Sequence, residues 1–295
     1  MIENPFACRG KWYRANLHAH TTVSDGDISP EGCAEFYRKA GYDVLAITDH
    51  NHVTEASGPP GLLMLRGVEL GGGRSAQGTD FHVVGIGVRA RGRVEEPRGA
   101  SAQEVVDVLR EDGGEAFIAH PYWSGLMAQD MLGIKGCFAL EVYNTGCDLE
   151  ILRGYSMVQW DDLLTLGCEV GGIAVDDGHR SGSDHGLGWT MIRAEELSEE
   201  AVMEALRRGR YYASTGPEIR DLGVGGGRIV VETSPVRSIA MVSAPGMGGR
   251  VFAGGDGDIT SAEFRLPEAR YCRIEAVDRE GKRAWSNPMI VEDRS

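Results

Sequence analysis

The sequence predicts an α/β fold over residues 1–215, followed by a small antiparallel β-domain over residues 216–295. Seven short apolar runs alternate with helical patterns between residues 14 and 210, which favours a βα-barrel one unit short of eight or a doubly wound sheet. Several runs, such as VLAIT at 44–48, are almost continuously apolar, as strands buried on both faces are. After residue 217 the helical patterns give way to short β-like runs.

Helix signals separate several of the predicted strands. The pair SP at 29–30 is typical of an N-cap and first helical residue. SAQE at 101–104 is a capping box, and SEE at 198–200 begins a third helix. The predicted strands are Ala15–His18, Val44–Thr48, Leu62–Val68, Phe81–Gly87, Ala116–Ala119, Phe138–Val142 and Gly172–Val175.

The C-terminal region is predicted to form a β-sandwich. Gly- and Pro-rich turns break it into short β-like runs without an evident helical pattern. These runs are RIVVET, SIAMVS, AEFRL, YCRIEAVD and PMIVE.

Composition excludes several classes of protein. A formal net charge of −14 argues against a nucleic acid polymer as partner. No run of 18 apolar residues is present, so we expect no membrane span, and the first residues lack a signal-peptide core. Six cysteines without C-x-x-C spacing favour reduced thiols and a cytoplasmic location. The composition is compatible with a homo-oligomer.

The stretch NLHAHTTVSDG at 16–26 contains His18, His20 and Asp25 directly after the first predicted strand. Positions i and i+2 of a strand share a face, so both imidazoles point the same way. Two imidazoles beside a carboxylate suit a divalent cation, whereas a polar loop after an edge strand is the alternative.

The rest of the sequence decides between these alternatives. Other metal-binding residue types also lie at strand ends, and six of the eight histidines belong to this set. In a βα-barrel the carboxyl ends of the strands open onto one face, so we expect a site for several metal ions there. The further members are His50, Glu69, His120, Asp177 and His179 at strand ends, and His82 at the beginning of its strand.

The series HAH…D, TDH, GVEL, the His of FHVVGIG, AHP and D-x-H resembles the polymerase and histidinol phosphatase (PHP) superfamily over roughly residues 12–215. EVYN at 141–144, RYYASTGPE at 210–218 and AWSNPMIVE at 284–292 resemble its stand-alone CehA/McbA-like branch. The resemblance implies a distorted seven-stranded βα-barrel that holds two to three Mn, Fe or Zn ions. It assigns His18, His20, Glu69 and Asp177 to the first ion, Glu69, His82 and His120 to the second, and Asp25, His50 and His179 to the third.

Among these ligands, Glu69, Asp177 and His179 are the predicted catalytic residues. Three divalent ions outweigh the charge of the three ligand carboxylates, so the site would attract a small anionic substrate. A hydroxide that bridges two ions would be the nucleophile.

Arginines and asparagines near strand ends are the predicted substrate contacts. Arg180 follows His179 directly and would pair with a phosphate, unless it is an ordinary loop arginine. Arg74 follows the glycines at 71–73, and Asn51 and Asn144 would contact substrate or bond within their loops.

Four polar residues near these motifs have other expected roles. Asp176 would face away from the ions, because it neighbours Asp177 in a strand. Asp49 would orient a ligand histidine. We interpret Asp184-His185 as a solvated loop, with a general acid as the alternative, and His52 as a surface residue.

The leading functional hypothesis is a metal-dependent phosphoesterase acting on a small phosphorylated metabolite or nucleotide. The alternative is hydrolysis of a carboxylic or carbamic ester at the same metal centre, since a hydroxide there would also attack a carbonyl group. A third hypothesis is a non-catalytic PHP binding module. The complete ligand set argues against the third.

Overall fold

One large β-sheet runs through the protein, and a few short helices pack against it. The computed structural model describes residues 2–95 and 99–291. Over these residues the strands are β1 (Lys11–Asn16), β2 (Val44–Ile47), β3 (His52–Val53), β4 (Leu63–Arg74), β5 (Asp80–Ile86), β6 (Gly92–Arg93), β7 (Glu115–Ile118), β8 (Cys137–Asn144), β9 (Gly171–Val175), β10 (Trp189–Ala194), β11 (Tyr211–Ser214), β12 (Ile219–Gly225), β13 (Arg228–Val236), β14 (Ser238–Ser243), β15 (Gly248–Phe252), β16 (Ile259–Arg265), β17 (Tyr271–Val277), β18 (Arg283–Ser286) and β19 (Met289–Ile290).

The three helices predicted from capping signals are confirmed. The Ser29 side chain accepts from a backbone N–H in the first turn of its helix, as does that of Ser198. Ser101 and Glu104 form the expected reciprocal capping box. The helices are α1 (Pro30–Lys39), α2 (Ala102–Glu111), α3 (Ala128–Met131), α4 (Thr145–Ile151), α5 (Met157–Thr165) and α6 (Glu199–Arg207), with a 3-10 turn at Pro5–Ala7. None of these helices is long and apolar enough to cross a membrane.

Seven strands of the large sheet follow the order β1-β2-β4-β5-β7-β8-β9, and each overlaps one predicted strand. They are parallel except for β5, which runs against both of its neighbours. A parallel bridge between Ala19 and Gly178 joins the residues that follow β1 and β9. The carboxyl ends of six strands and the amino end of β5 therefore meet at one edge.

The direction of β5 differs from the parallel arrangement that its apolar sequence favoured. Only residues 75–79 separate β4 from β5. A parallel neighbour needs a crossover of about a dozen residues, whereas a short turn makes a hairpin. The hairpin carries His82, near the start of β5, to the edge where the other strands end.

All regular elements described after residue 215 are strands. β12, β13 and β16 form a separate three-stranded sheet, whereas β14, β15, β17 and β18 extend the large sheet through a pairing of β18 with β11. Apolar side chains from both sheets pack together, including Ile229 and Ile274, and Trp12 packs against the same cluster. The division at residue 215 stays a prediction. Glu292, the last residue of the predicted PMIVE run, lies outside the described residues.

Candidate metal centre

The nine predicted ligands lie close together at one edge of the sheet, although Glu69 lies inside β4 rather than after it, because β4 continues to Arg74. Their donor atoms form three groups, and within each group the atoms lie within 4.8 Å of one another. Glu69 and His20 each belong to two groups. Ion binding itself stays a prediction. The groups are His18, His20, Glu69 and Asp177; Glu69, His82 and His120; and His20, Asp25, His50 and His179.

The first group is buried, and its donor atoms are close together. Nε2 of His18 lies 3.0 Å from Nε2 of His20, and Oε2 of Glu69 lies 3.1 Å from each nitrogen. Oδ1 of Asp177 lies 3.2 and 3.1 Å from the same two nitrogens. Ligands about 2.0–2.1 Å from a tetrahedral ion are about 3.3 Å apart. The spacing therefore fits one ion.

Glu69 joins the first group to the second. Its Oε2 contacts the first group, while its Oε1 lies 3.0 Å from Nδ1 of His82 and 3.3 Å from Nε2 of His120. The side chain is 1% exposed, so neither oxygen is well solvated. One carboxylate therefore places an oxygen in each of two adjacent donor groups.

The third group is more open than the other two. Asp25 lies 3.5 Å from a ring nitrogen of each of His20, His50 and His179. The Asp25 side chain is 54% exposed, and those of His50 and His179 are 32% exposed. This group therefore faces the solvent side of the site.

Two ligands have left-handed backbone conformations. The φ angles are 28° at His120 and 50° at Asp177, in a region that residues other than glycine seldom occupy. Such strain costs about 1–3 kcal/mol for each residue and is concentrated at functional sites. Both residues lie two positions beyond the end of a strand, β7 and β9 respectively, and both side chains belong to the donor groups.

Glu141 supports the site and was missed in the sequence. It is fully buried in β8 and accepts hydrogen bonds from Nδ1 of His18 at 2.6 Å, the backbone N–H of His120 at 2.7 Å and Nδ2 of Asn144 at 2.8 Å. The bond to Nδ1 leaves Nε2 of His18 free to bind an ion. The signal was a carboxylate inside an apolar strand, because a buried charge needs partners.

Asn144 forms hydrogen bonds within the protein, which is the second of the two roles expected for it from the sequence. Its side chain is buried, because the amide donates to Glu141 and, at 3.1 Å, to Oδ2 of Asp177, while the amide oxygen accepts from the N–H of Cys147. Asn144 therefore positions the Asp177 carboxylate and caps the N-terminus of α4. Asn51 has a buried amide oxygen without a hydrogen-bond partner among the described residues, and it does not line the cavity described below.

Hydroxyl groups orient two ligand rings. Nδ1 of His20 lies 3.3 Å from Oγ of Ser24, which donates to Asp49 at 2.7 Å. Asp49 therefore acts on the ligand through a serine rather than by direct contact. Nδ1 of His120 lies 3.0 Å from Oγ of Ser124.

Asp176 faces away from the ligands, as expected. It accepts from the backbone N–H groups of residues 186–188 and from the hydroxyls of Tyr37 and Thr145. Asp184 and His185 are buried rather than solvated, which corrects the prediction. Asp184 is drawn inward because it accepts from the N–H groups of His179 and Arg180.

A cavity of about 710 Å³ opens above the three groups. Arg180 lines this cavity, and its side chain has no ion-pair partner among the described residues. Arg74 pairs instead with Asp80 at 3.1 Å, is 73% exposed and is not among the residues that line the cavity, so its position lends no support to the predicted substrate contact. His52 is half-buried in β3, outside the three groups.

The carboxylate and imidazole ligands stabilise one another's charged forms. Burial by itself would raise the pKa of Glu69, but the surrounding imidazoles, first that of His18, hold this pKa well below its ordinary value. Burial would lower the pKa of His20, but Asp177 and Glu69 outweigh burial and raise it to about 9. In the metal-free protein, protonated imidazoles thus balance the negative charge of the carboxylates. A bound metal cation would displace these protons.

The donor set fits divalent ions. Oδ1 of Asp177 and Nδ1 of His82 are buried without a hydrogen-bond partner among the described residues, although both face other donor atoms of their groups. Buried polar atoms without partners are rare and need an explanation. Imidazole with carboxylate suits Zn, Fe and Mn, so an ion bound there would supply the missing partner.

No known family model matches the sequence. The chain is 29% identical over 120 residues to an uncharacterized protein of Methanocaldococcus jannaschii, and the match covers 37% of this chain and 68% of that relative. A crystal structure from Bacteroides vulgatus, of a two-domain protein containing a predicted PHP-like metal-dependent phosphoesterase, matches with a TM-score of 0.55. It is 14% identical, and the match covers 98% of this chain and 97% of that one. The two proteins share a fold.

A second solved structure matches over less of the chain and with a lower TM-score. It is a proposed metal-dependent phosphoesterase from Bifidobacterium adolescentis, 19% identical, with a TM-score of 0.46 over 66% of this chain and 96% of that chain. This score is too low to bear on function. The shared fold with the two-domain protein is therefore what the solved structures show for this chain.

Proposed function

We propose that the chain is a metal-dependent phosphoesterase of the PHP superfamily, in its CehA/McbA-like branch, and that it hydrolyses a small phosphorylated metabolite or nucleotide. The observation that carries this proposal is the position of Glu69, with one oxygen in each of two adjacent donor groups. Adjacent divalent ions stabilise both the attacking and the leaving oxygen in phosphoryl transfer.

The family architecture is part of the same proposal. A distorted barrel of seven strands is supported by the bridge between Ala19 and Gly178, which joins the ends of β1 and β9. A C-terminal β-sandwich is supported by the apolar cluster between the two C-terminal sheets. Six free cysteines support a reducing, cytoplasmic location.

The ligands hold two to three ions of Mn, Fe or Zn, with Glu69, Asp177 and His179 as the catalytic residues among them. Bound divalent ions supply the activation of water and the polarisation of a phosphoryl oxygen. Arg180 lies at the cavity next to His179, and its guanidinium pairs with the non-bridging oxygens of the substrate.

Hydrolysis of a carboxylic or carbamic ester is the second candidate. The cavity is also lined by Asp27, Glu150 and Asp184, against the single cationic side chain of Arg180 among its described lining residues. These carboxylates reduce the net positive charge that bound ions would give the cavity. A less positive cavity favours a neutral ester over a highly charged anion.

The test uses three substrates with the same leaving group: p-nitrophenyl phosphate, bis(p-nitrophenyl) phosphate and p-nitrophenyl acetate. The protein is loaded with Mn, Fe or Zn, and its metal content is measured. We expect two to three ions per chain and faster hydrolysis of a phosphate ester than of the acetate. Hydrolysis of the acetate alone would overturn the phosphoesterase in favour of the second candidate.

Arginine variants refine this test. Arg180→Met should raise KM for the phosphate ester, because a charge-assisted pair of this kind contributes roughly 1.5–3 kcal/mol, and leave KM for the acetate unchanged. Arg74→Met is the matched control and should change neither value. If the two substitutions changed KM for the phosphate ester equally, Arg180 would not be a specific substrate contact.

A further inference from the structure

One wall of the cavity differs from the rest, because it is apolar. Trp123, from the turn after β7, and Leu149, from α4, line this wall. Leu149 is 57% exposed and lines the cavity. Exposed apolar surface inside a binding cavity is the kind of surface that a ligand covers.

The wall stands beside the second group of donor atoms. The ring of Trp123 lies 5.0 Å from the ring of His120 and 6.3 Å from that of His82, measured between centroids. The Trp123 indole N–H donates to Oε2 of Glu150 at 2.9 Å, which ties the turn after β7 to α4. A substrate whose reacting group lies among the three donor groups therefore has this wall within reach of its other end.

Charge on the same side of the cavity is negative. Glu150 follows Leu149 in α4, and its carboxylate also lines the cavity. Arg180 is the cationic side chain among the described lining residues, and it lies beside His179 in the third group. A second anionic group on the substrate would meet the carboxylate of Glu150 rather than a cation.

We propose that the wall of Trp123 and Leu149 binds an apolar or aromatic leaving group, and that Glu150 excludes substrates with a second anionic group at this end. This inference rests on the proposed function and specifies its substrate class. The substrate has one anionic head for the metal centre and an uncharged remainder for the wall. A nucleoside monophosphate or an aryl phosphate fits, whereas a bisphosphate does not.

Binding of phosphonates tests the apolar wall without turnover. Phenylphosphonate and methylphosphonate share one head group, and their affinities for the metal-loaded protein can be measured by calorimetry. We expect phenylphosphonate to bind at least about tenfold more tightly. Leu149→Ala should weaken phenylphosphonate roughly fivefold to tenfold and leave methylphosphonate unchanged. Ile151→Ala is the matched control, since Ile151 is 52% exposed on the same helix but does not line the cavity.

Substrate kinetics test the role of Glu150. 4-Carboxyphenyl phosphate adds one anionic group to phenyl phosphate, so its kcat/KM should be roughly tenfold lower. Glu150→Gln keeps an oxygen that can accept from Trp123 and should remove most of this difference. An unchanged difference in the variant would overturn the role of Glu150.

The outcomes separate this inference from the proposed function. Equal binding of the two phosphonates, or equal effects of Leu149→Ala and Ile151→Ala, would overturn the apolar wall while phosphate ester hydrolysis stands. Failure of the metal-loaded protein to bind either phosphonate or to hydrolyse any phosphate ester would overturn the proposed function and this inference with it.

Discussion

Glu141→Gln tests how the protein prepares His18 as a ligand. The carboxylate accepts from Nδ1 of His18 through one oxygen, and from the backbone N–H of His120 and the amide of Asn144 through the other. Glutamine has one oxygen and one NH₂ group. If its oxygen keeps the pair of bonds, its NH₂ group faces Nδ1 of His18, which must then accept a hydrogen bond instead of donating one.

That change moves the ring proton of His18 to Nε2, the atom that faces the first donor group. A protonated Nε2 cannot bind an ion, so the affinity of the first group should fall about 10- to 100-fold. The exchange of a charge-assisted hydrogen bond for a neutral one should also lower the free energy of unfolding of the metal-free protein by roughly 1 kcal/mol. The site is fully buried, so water does not compensate for the lost charge.

The assay is a calorimetric titration of metal-free protein with Mn or Zn, together with urea unfolding. Glu115→Gln is the matched control, because Glu115 is also buried but pairs with Arg207 outside the three groups. The control should lose stability and keep its metal affinity. Wild-type metal affinity in Glu141→Gln would refute this reasoning about the tautomer of His18.

Three further predictions concern other parts of the site. His50→Ala should lose one bound ion, as measured by metal analysis, whereas His52→Ala should lose none; equal ion content would remove His50 from the ligands. The pKa of His20 is raised from 6.5 to about 9 in the metal-free protein, so its protonation stabilises the fold below pH 6.5 and ceases to do so as pH rises through 9. The melting temperature of the metal-free protein should therefore fall as pH rises over this window. Metal affinity should rise over the same window, and metal binding should release protons that a pH indicator detects. A metal affinity that does not depend on pH would contradict this prediction. Asp176→Ala should lower the free energy of unfolding by roughly 3–5 kcal/mol, because the three backbone N–H groups of residues 186–188 and the hydroxyls of Tyr37 and Thr145 lose their acceptor. A loss below about 1 kcal/mol in urea unfolding would be inconsistent with that.

The strands and the grouping of polar residues at their ends could be predicted because both depend on local sequence. Apolar runs marked the strands, and ligand types recurred where those runs end. The direction of β5 could not be inferred from its apolar character, which suits buried strands of either direction. The five-residue connection at 75–79 contained that information, and it explains why His82 lies near the start of its strand. Glu69 lies inside β4, because this strand continues for five residues beyond it.

The side chains around the ligands were harder to predict, because their roles depend on contacts between distant residues. Glu141 acts on His18, a residue 123 positions away in sequence. Asn144 resembles a residue free to bind substrate until β8 and β9 place it against Asp177. Asp184 looks solvated in a Gly- and Ser-rich loop, but backbone N–H groups draw it into the protein.

Anomalous diffraction from crystals grown with Mn²⁺ tests the central claim most directly, because it locates the ions. We expect two or three peaks. One lies among His18, His20, Glu69 and Asp177, and a second lies across Glu69, towards His82 and His120. The third, if filled, lies beside Asp25. Peaks only at other positions, or none in a protein with this fold, would contradict a metal-dependent hydrolase.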